Sequence, residues 1–419
     1  MAEIGFKKTD NTFNLDYTAK TKDWLDSRYR RDNSGLYRAH RPIYGFGIEP
    51  SEKNHTIRYG IAYGILKALN RLQWETTLDV GGGEGYLPKL LRTIFNRESY
   101  TSEISLEANL RAKEFFGLTG VTADVQRLPF KDGSFDIVIA SEVIEHLQYP
   151  QLGLYEMARV ASEAVVITTA EAYASERERV LRLKTRNFQA PHSERNYWHP
   201  SDFRRLFDGE VRVLTCTKAF MDIDEKSIDQ REAIDLVRNM TPLDDYDRDA
   251  LDALIIFLKN DASMGEPALE DEIILDQLFS FKVAHNYRAV EIAPPPVDKL
   301  CCPVCRGNLE MREDKCRCSN CREEYPVFEG IPVLLTQKPL SPPSASDIEK
   351  AGLKPEGMMH IADKFAPKDT SRLNKFSCIV LLAFNLLFRY ITSTVPWKIK
   401  FKWLRNKANP SIFINYFVK

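Results

Sequence analysis

Residues 78–87, LDVGGGEGYL, place an acidic residue beside a cluster of glycines. The apolar run Thr77–Val80 predicts a buried strand before the glycines, and Leu87–Phe95 predicts a helix after them. Glycines at such a junction let the backbone approach a ligand closely, and the amide groups at the start of the helix point outward. The segment therefore predicts a binding site for a nucleotide-like ligand.

The pattern of the loop indicates which ligand this is. The dinucleotide fingerprint G-x-G-x-x-G does not fit, because Tyr86 and Pro88 stand where its last glycine would fall. The glycines follow G-x-G-x-G instead, and Asp79 stands two residues ahead of them. A carboxylate there would repel a pyrophosphate but attract a cation. S-adenosylmethionine (SAM), with its sulfonium and α-ammonium groups, is such a ligand.

Further acidic residues end the next two apolar runs. Glu103 is placed to meet ribose hydroxyls at the end of the second strand, and Asp124 to accept a hydrogen bond from the adenine amino group. Asp136–Ser141 and 164–170 predict the fourth and fifth strands. The predicted cofactor-binding residues are Asp79, Gly81, Gly82, Gly83, Gly85, Glu103, Ile104, Asp124, Val125, Ser141 and Glu142.

This ordered series resembles the class I SAM-dependent methyltransferases, in particular the type 11-like branch with D-x-G-x-G-x-G and LPF-x-(D/G)-x-SFD-x-V. Here these motifs are DVGGGEG (79–85) and LPFKDGSFDIV (128–138), and the resemblance covers roughly 55–220. It implies an α/β fold with a Rossmann-like seven-stranded sheet. The usual R-P-G-G turn before the fifth strand is replaced by RVASEA (159–164), which places that loop in doubt. A non-catalytic Rossmann-like domain is the alternative.

The composition fits a globular protein of several units, with 419 residues, 43% of them hydrophobic and 28% charged. The net charge of −1 gives no overall basic field toward nucleic acid, so we expect no nucleic-acid partner. The N-terminus has no signal-peptide core, which predicts a cytoplasmic protein. The predicted units are an N-terminal extension covering the active site (1–54), the methyltransferase core (55–293), a zinc ribbon (297–336), a linker (337–375) and a hydrophobic-basic tail (376–419).

The last part of the core, after the fifth strand, is predicted to contain two further strands separated by an insertion. Val211–Phe220 predicts the sixth strand, and an acidic, helical insertion is expected at about 221–283. The run LDALIIFL (251–258) within it is dense enough in apolar residues to form the buried face of a helix. Residues 284–293 are then expected to form the antiparallel seventh strand.

Six of the eight cysteines lie between Cys301 and Cys321. In a reducing compartment such a cluster indicates a metal site before it indicates disulfides. Two C-x-x-C pairs together can close a tetrahedral, structural zinc site. Its predicted ligands are Cys302, Cys305, Cys318 and Cys321. Iron and a metal-free hairpin remain alternatives, as does Cys316 in place of Cys318.

The segment around these cysteines resembles the zinc-ribbon activator subunit of eukaryotic tRNA and protein methyltransferases and its small bacterial relatives. The resemblance is carried by CPVC (302–305) and YPVFEGIPVLL (325–335). It implies a β-rich unit that docks on the catalytic domain and supports it. Fusion in one chain makes that docking intramolecular.

The tail begins with an apolar run of 13 residues (376–388), too short to span a bilayer by itself. Basic and aromatic residues follow it without an acidic one. This pattern predicts a C-terminal amphipathic or hydrophobic helix that anchors the protein peripherally on the cytoplasmic face of a membrane. A helix docked on the protein itself and a true span are the alternatives.

The chemistry of methyl transfer needs alignment, and it needs a base only when the acceptor is a poor nucleophile. The candidate bases are His199, His146 and His192, with His199 slightly preferred over His192. His199 and His192 are alternatively loop residues that cap the segment Ser201–Phe207. SEVIEHL (141–147) replaces the (N/D)-P-P-(Y/F) signature of amine acceptors, which favours an oxygen or carbon acceptor.

These features predict a SAM-dependent methyltransferase acting on a glycan, a lipid-linked compound or another small molecule, with the ribbon as a scaffold in the same chain. One alternative is a tRNA methyltransferase that carries its own activator domain. Another is a SAM-binding interaction protein without catalytic activity.

Overall fold

The computed structural model describes residues 15–30, 45–46, 55–170, 196, 198–218, 228–246, 250–283, 288–338 and 342–365. The predicted tail lies outside these residues. Within them, no helix is long and apolar enough to cross a membrane.

A seven-stranded sheet forms the centre of the protein, in the order β3-β2-β1-β4-β5-β7-β6. Its strands are β1 (Thr76–Val80), β2 (Glu98–Glu103), β3 (Val121–Thr122), β4 (Phe135–Ser141), β5 (Ala161–Ala170), β6 (Glu210–Lys218) and β7 (Ala250–Leu258). The first five strands are parallel, and β7 lies antiparallel between β5 and β6. This is the seven-stranded, Rossmann-like arrangement that the sequence predicted.

Helices cover both faces of the sheet. They are α1 (Leu15–Tyr29), α2 (His55–Leu69), α3 (Tyr86–Phe95), α4 (Leu106–Phe116), α5 (Pro150–Val160), α6 (Pro200–Leu206), α7 (Gln230–Met240), α8 (Asp271–Ser280), α9 (Ala345–Lys350) and α10 (Pro355–Phe365). One-turn 3₁₀ helices occur at Val125–Arg127 and Val297–Lys299.

Alternate residues of the central strands pack into two separate hydrophobic layers. In β4, Val138 and Ala140 join a layer with α5, α6 and α10, whereas Ile137 and Ile139 face a layer with α2, α7 and α8. Strands buried on both faces are therefore continuously apolar, as expected for the interior of a sheet covered by helices.

The position of the antiparallel strand corrects the sequence interpretation. Residues 251–258, expected in a helix, belong to β7, and they pair with both β5 and β6. A short apolar run buried on both sides gives no periodicity that separates a strand from a helix. Of the segment 284–293, the described residues 288–293 form no strand. The helical insertion is real only in part, since α7 lies between β6 and β7 and α8 follows β7.

A second, four-stranded sheet forms the cysteine-containing unit, in the order β11-β10-β9-β8. Its strands are β8 (Leu309–Met311), β9 (Lys315–Cys318), β10 (Glu324–Phe328) and β11 (Ile331–Pro332). All neighbours pair antiparallel. The unit is β-rich, as predicted.

This unit extends the edge of the large sheet. Val333 forms a parallel bridge with Thr122 of β3, and the amide of Leu334 donates to the Thr122 carbonyl at 2.8 Å. A second bridge joins Leu300 to Phe130. Leu300, Leu334 and several cysteines belong to the same hydrophobic layer as α5. The cysteine unit and the unit of the seven-stranded sheet therefore share backbone pairing and a continuous apolar core.

The segment predicted as a linker contains two helices instead. The buried residues Met358, Ile361 and Phe365 of α10 pack into the core layer of the large sheet. The ring of Phe365 lies 4.6 Å from that of Trp198, which is fully buried. Proline and serine before α9 suggested a linker, but the apolar spacing inside α10 is that of a packed helix.

Candidate functional site

A cavity of about 260 Å³ opens at the carboxyl ends of β1, β2 and β4. Elements that are distant in sequence meet here because parallel strands present their carboxyl ends on one edge. The predicted cofactor residues that line it are Asp79, Gly81, Gly82, Gly83, Glu103, Ile104, Asp124, Val125, Ser141 and Glu142. Gly85 does not line the cavity; it precedes α3 as the N-cap.

The glycine loop leaves no space for side chains. Gly81 has φ +68°, and a Cβ there would lie 2.6 Å from a methyl of Val143. A Cβ at Gly82 would lie 2.5 Å from the Thr101 hydroxyl and 2.7 Å from a carboxylate oxygen of Asp79. The loop thus packs its backbone directly over the buried acid, which explains why glycine is required at these positions.

Two acidic residues lie side by side at the strand ends. The Glu103 carboxylate accepts hydrogen bonds from the amides of Gly83 and Ser105, both at 3.1 Å. Asp79 is 3% exposed, and burial together with the neighbouring Glu103 raises its pKa well above its usual range. Neither carboxylate forms an ion pair with a basic side chain of the described residues. A bound cation would relieve this unfavourable burial of charge.

Asp124 lies on the β3 side of the cavity and begins a 3₁₀ turn. Its carboxylate accepts from the amide of Gln126 at 2.9 Å. Burial raises the pKa of Asp124, and these hydrogen bonds lower it in part. The turn holds Asp124 and Val125 against the cavity.

Helix α1 forms one wall of the cavity through Thr18, Thr21, Leu25 and Tyr29. Asp26 attaches this helix to the start of α4, because its carboxylate accepts from the Ser105 hydroxyl at 2.6 Å and from the Glu107 amide at 3.3 Å. An acidic group at a helix N-terminus is electrostatically favourable. The sequence analysis predicted an N-terminal extension over the active site but did not indicate which of its residues line the cavity.

Arg58 of α2 is the one basic side chain besides His146 among the described lining residues. Arg58 lies outside the acidic and glycine motifs, because it stands before the first strand. The same helix segment, IRYGIAYGILKAL, contains a second basic residue, Lys67, so the sequence does not single out Arg58. Arg58 gives the acidic cavity a group that can bind a carboxylate.

His146 lines the cavity, and its Nε2 lies 3.7 Å from a carboxylate oxygen of Glu145. It stands in a turn before α5, which begins at Pro150. His146 is therefore the predicted histidine that the structure places at the cavity.

His199 has a different environment. It is the N-cap of α6: its Nδ1 accepts from the Ser201 amide at 3.2 Å, and Asp202 completes a capping box. It does not belong to the described lining of the cavity. The structure supports the capping alternative for His199, and His192 lies outside the described residues.

The four predicted metal-ligating cysteines come together. The sulfur atoms of Cys302, Cys305, Cys318 and Cys321 all lie within 4.8 Å of one another. The Cys302–Cys321 and Cys305–Cys318 sulfur separations are 3.6 and 3.4 Å. A tetrahedral zinc with bonds of about 2.3 Å requires sulfur separations of about 3.8 Å, so the group fits this ion.

The two C-x-x-C turns, or knuckles, have the same backbone conformation. Arg306 and Arg322 each follow the second cysteine of a pair with φ of +57° and +63°. Each amide turns back to the carbonyl of the first cysteine, Cys302 or Cys318, at 2.8 and 3.1 Å. The amides of Val304 and Cys321 point at cysteine sulfurs at 3.4 Å. Donors aimed at sulfur favour thiolates, the form that binds a metal.

Comparison with known proteins indicates the class of protein to which the chain belongs. Residues 78–167 match a methyltransferase domain family. Together with the strand order and the glycine loop, this match defines the chain as a SAM-dependent methyltransferase of the class I fold.

Two curated relatives identify the smaller unit. A UPF0434 protein of Methylobacillus flagellatus is 36% identical over 52 residues, which are 12% of this chain and 87% of the relative. A UPF0434 protein of Dechloromonas aromatica is 42% identical over 41 residues, 9% of this chain and 71% of the relative. The chain belongs to the UPF0434 family through this short region. The cysteine cluster and this match are consistent with a zinc ribbon.

Among solved structures, the chain is similar to magnesium protoporphyrin IX methyltransferase from Synechocystis PCC 6803 with bound SAH, at 14% identity and a TM-score of 0.35, covering 58% of this chain and 100% of that one. YcgJ from Bacillus subtilis is 16% identical with a TM-score of 0.33, covering 48% and 98%.

Proposed function

We propose that this chain transfers the methyl group of SAM to an oxygen or carbon atom of a glycan, a lipid-linked compound or another small molecule. The observation that carries the proposal is the buried pair Asp79 and Glu103 beneath the glycine loop. This pair attracts a cation with hydroxyl and ammonium groups, which SAM supplies.

The four polar positions suggest how SAM lies in the cavity. Asp79 pairs with the ammonium group, Glu103 accepts from the ribose hydroxyls, and Asp124 accepts from the adenine amino group. Arg58 binds the SAM carboxylate, because it carries the one guanidinium group among the described lining residues. The ammonium and carboxylate groups of the cofactor then each meet a group of opposite charge.

The charge of the cavity supports an uncharged acceptor. Its described lining contains five carboxylates and one guanidinium, so a polyanion such as RNA would be repelled there. Leu25, Ile61 and Ile65 add apolar surface that suits a hydrophobic or lipid-linked compound. The apolar and basic sequence at 376–419 supports an acceptor presented at a membrane surface.

The cysteine unit would act as a scaffold that holds a structural zinc ion through its four thiolates. Its edge pairs with β3, directly before Asp124, and Arg306 donates to the buried Glu156 of α5 at 3.1 Å. Zinc would stabilise the knuckles that carry Arg306. The unit would thereby keep the β3 side of the cavity in place.

Methyl-labelled SAM tests the proposal. The purified full chain is incubated with cell extract that is afterwards separated into lipid, polysaccharide and RNA fractions. We expect label in the lipid or polysaccharide fraction, and Asp79→Ala should reduce it at limiting SAM concentration. Label confined to the RNA fraction and released by ribonuclease would instead assign the chain to RNA methylation.

A further inference from the structure

The order of the strands distinguishes a β3 side of the cavity from a β7 side. Across the sheet, the polar residues at the strand ends follow one another as Asp124, Glu103, Asp79, Glu142, Thr168 and Asp252. If the adenosine of SAM lies over β3 and β2 and its ammonium at β1, the remaining space is over β4, β5 and β7. The acceptor must approach from that side, and Glu142 is the acidic residue there that lies nearest to Asp79 in this order.

Glu142 has an unusual backbone for its residue type. It follows β4 directly, with φ +57° in the left-handed region. The conformation is fixed because its amide donates to the Thr168 carbonyl at 3.1 Å and Ser141 hydrogen-bonds to the Thr168 hydroxyl at 3.0 Å. Non-glycine residues held in this region are strained and cluster at functional sites.

The side chain of Glu142 lines the cavity. Its Oε1 is buried and has no hydrogen-bond partner among the described residues. A buried carboxylate oxygen without a donor is unfavourable. A hydroxyl group brought into the cavity would donate to this oxygen and remove the cost.

We propose that Glu142 is the catalytic base that accepts the proton of the acceptor hydroxyl, a role that rests on the proposed function. The hydroxyl oxygen forms a bond to the methyl carbon while the carbon–sulfur bond breaks. The electron pair of that bond goes to sulfur, which leaves as the neutral thioether of S-adenosylhomocysteine. The hydroxyl proton goes to Oε1 of Glu142, and water later removes it.

The surroundings suit Glu142 to this role. Burial raises its pKa well above the usual range of a glutamate, and the carboxylates of Glu145 and Asp252 raise it further. Arg58 and a hydrogen bond from Thr168 lower it in part. A carboxylate of raised pKa takes up a proton more readily and is thus a stronger base. Since only the ionised form is a base, turnover should fall as the pH decreases through this raised pKa.

Glu142→Gln in the full chain tests the role, with Glu98→Gln as the matched control. Glu98 begins β2 at the opposite, exposed end of the strand. We expect Glu142→Gln to bind SAM with wild-type affinity in calorimetry and to transfer label into the lipid or polysaccharide fraction roughly 10²–10⁴-fold more slowly. Glu98→Gln should match the wild type in both measurements. Glu142→Asp should recover part of the transfer rate. The pH range in which its rate falls on acidification should differ from that of the wild type.

Several results would overturn the role of Glu142. Undiminished transfer by Glu142→Gln would exclude it as the base, and lost SAM affinity would make it a cofactor ligand. Wild-type transfer that stops on chelation of divalent cations and returns with Mg²⁺ would assign the carboxylate to a metal. A wild-type chain that labels neither the lipid nor the polysaccharide fraction would instead overturn the proposed function itself.

Discussion

The cavity and the cysteine unit are built in opposite ways. The cysteine cluster takes its four candidate metal ligands from two short segments, 302–305 and 318–321, and each turn is closed by neighbouring amides. The cavity takes its lining from α1, α2 and the ends of four strands, spread over residues 18–148. One site is encoded by local spacing, and the other by the topology of the whole sheet.

This difference predicts how each site responds to damage. Loss of one thiolate removes a ligand that the remaining three cannot replace, and the small four-stranded sheet has little core of its own. The cavity distributes its affinity over several polar groups, so each single change should weaken it without destroying it. The predictions below test this contrast, beginning with the largest effect.

Cys305→Ser should have the largest effect. We expect elemental analysis to find about one zinc per wild-type chain and almost none in the variant. Structural zinc contributes on the order of 10 kcal/mol in small domains, so the cysteine unit should unfold in the variant. Hydrogen exchange at 309–328 would report this unfolding.

Cys301→Ala is the control for that experiment. Cys301 is as buried as its neighbour Cys302, but its sulfur is not part of the cluster. It should keep the metal. A wild-type chain purified without chelators that holds no metal would leave the metal-free hairpin as the correct description.

Asp79→Ala and Glu103→Ala should each weaken SAM binding by about 1.5–3 kcal/mol, the size of a charged hydrogen bond. Isothermal titration calorimetry of the folded variants measures this loss. Glu98→Ala, at the far end of β2, should bind SAM as the wild type does. Unchanged affinity in both pocket variants would contradict the cofactor assignment.

The same contrast decides what the sequence could predict. The clustering of the four cysteines was predicted from their spacing alone, and the position of the acids Asp79 and Glu103 at the strand ends from motif order. Strand β7 was missed because a doubly buried strand has no two-residue alternation. Arg58 and the individual lining residues of α1 were missed because nothing in their local sequence shows which cavity they face, although the N-terminal extension was predicted to cover the active site. Long-range packing, and not local pattern, places these residues.

Arg58→Met should show that individual side chains of the cavity bind individual groups of SAM. Removing the guanidinium should weaken S-adenosylhomocysteine binding by roughly tenfold, about 1.4 kcal/mol. It should leave 5′-methylthioadenosine, which has no carboxylate, unchanged. Lys67→Met on the same helix, where Lys67 lies 3.6 Å from Asp271, is the matched control. An equal loss for both ligands would mean that Arg58 acts by packing.

The smallest effect is expected at Asp26, which holds the α1 wall against the start of α4. Asp26→Ala removes a carboxylate that accepts from the Ser105 hydroxyl and the Glu107 amide, and such a group at a helix N-terminus contributes about 0.3–1 kcal/mol. If α1 must dock before SAM is enclosed, the affinity for SAM should fall roughly two- to fivefold, and hydrogen exchange should accelerate in 15–30 while the strands keep their protection. Asp23→Ala, on the exposed side of the same helix, should change neither quantity. If Asp26→Ala leaves both quantities unchanged, α1 is held by its apolar contacts through Leu25 and Tyr29, and the Asp26 contact adds nothing to the closure of the cavity.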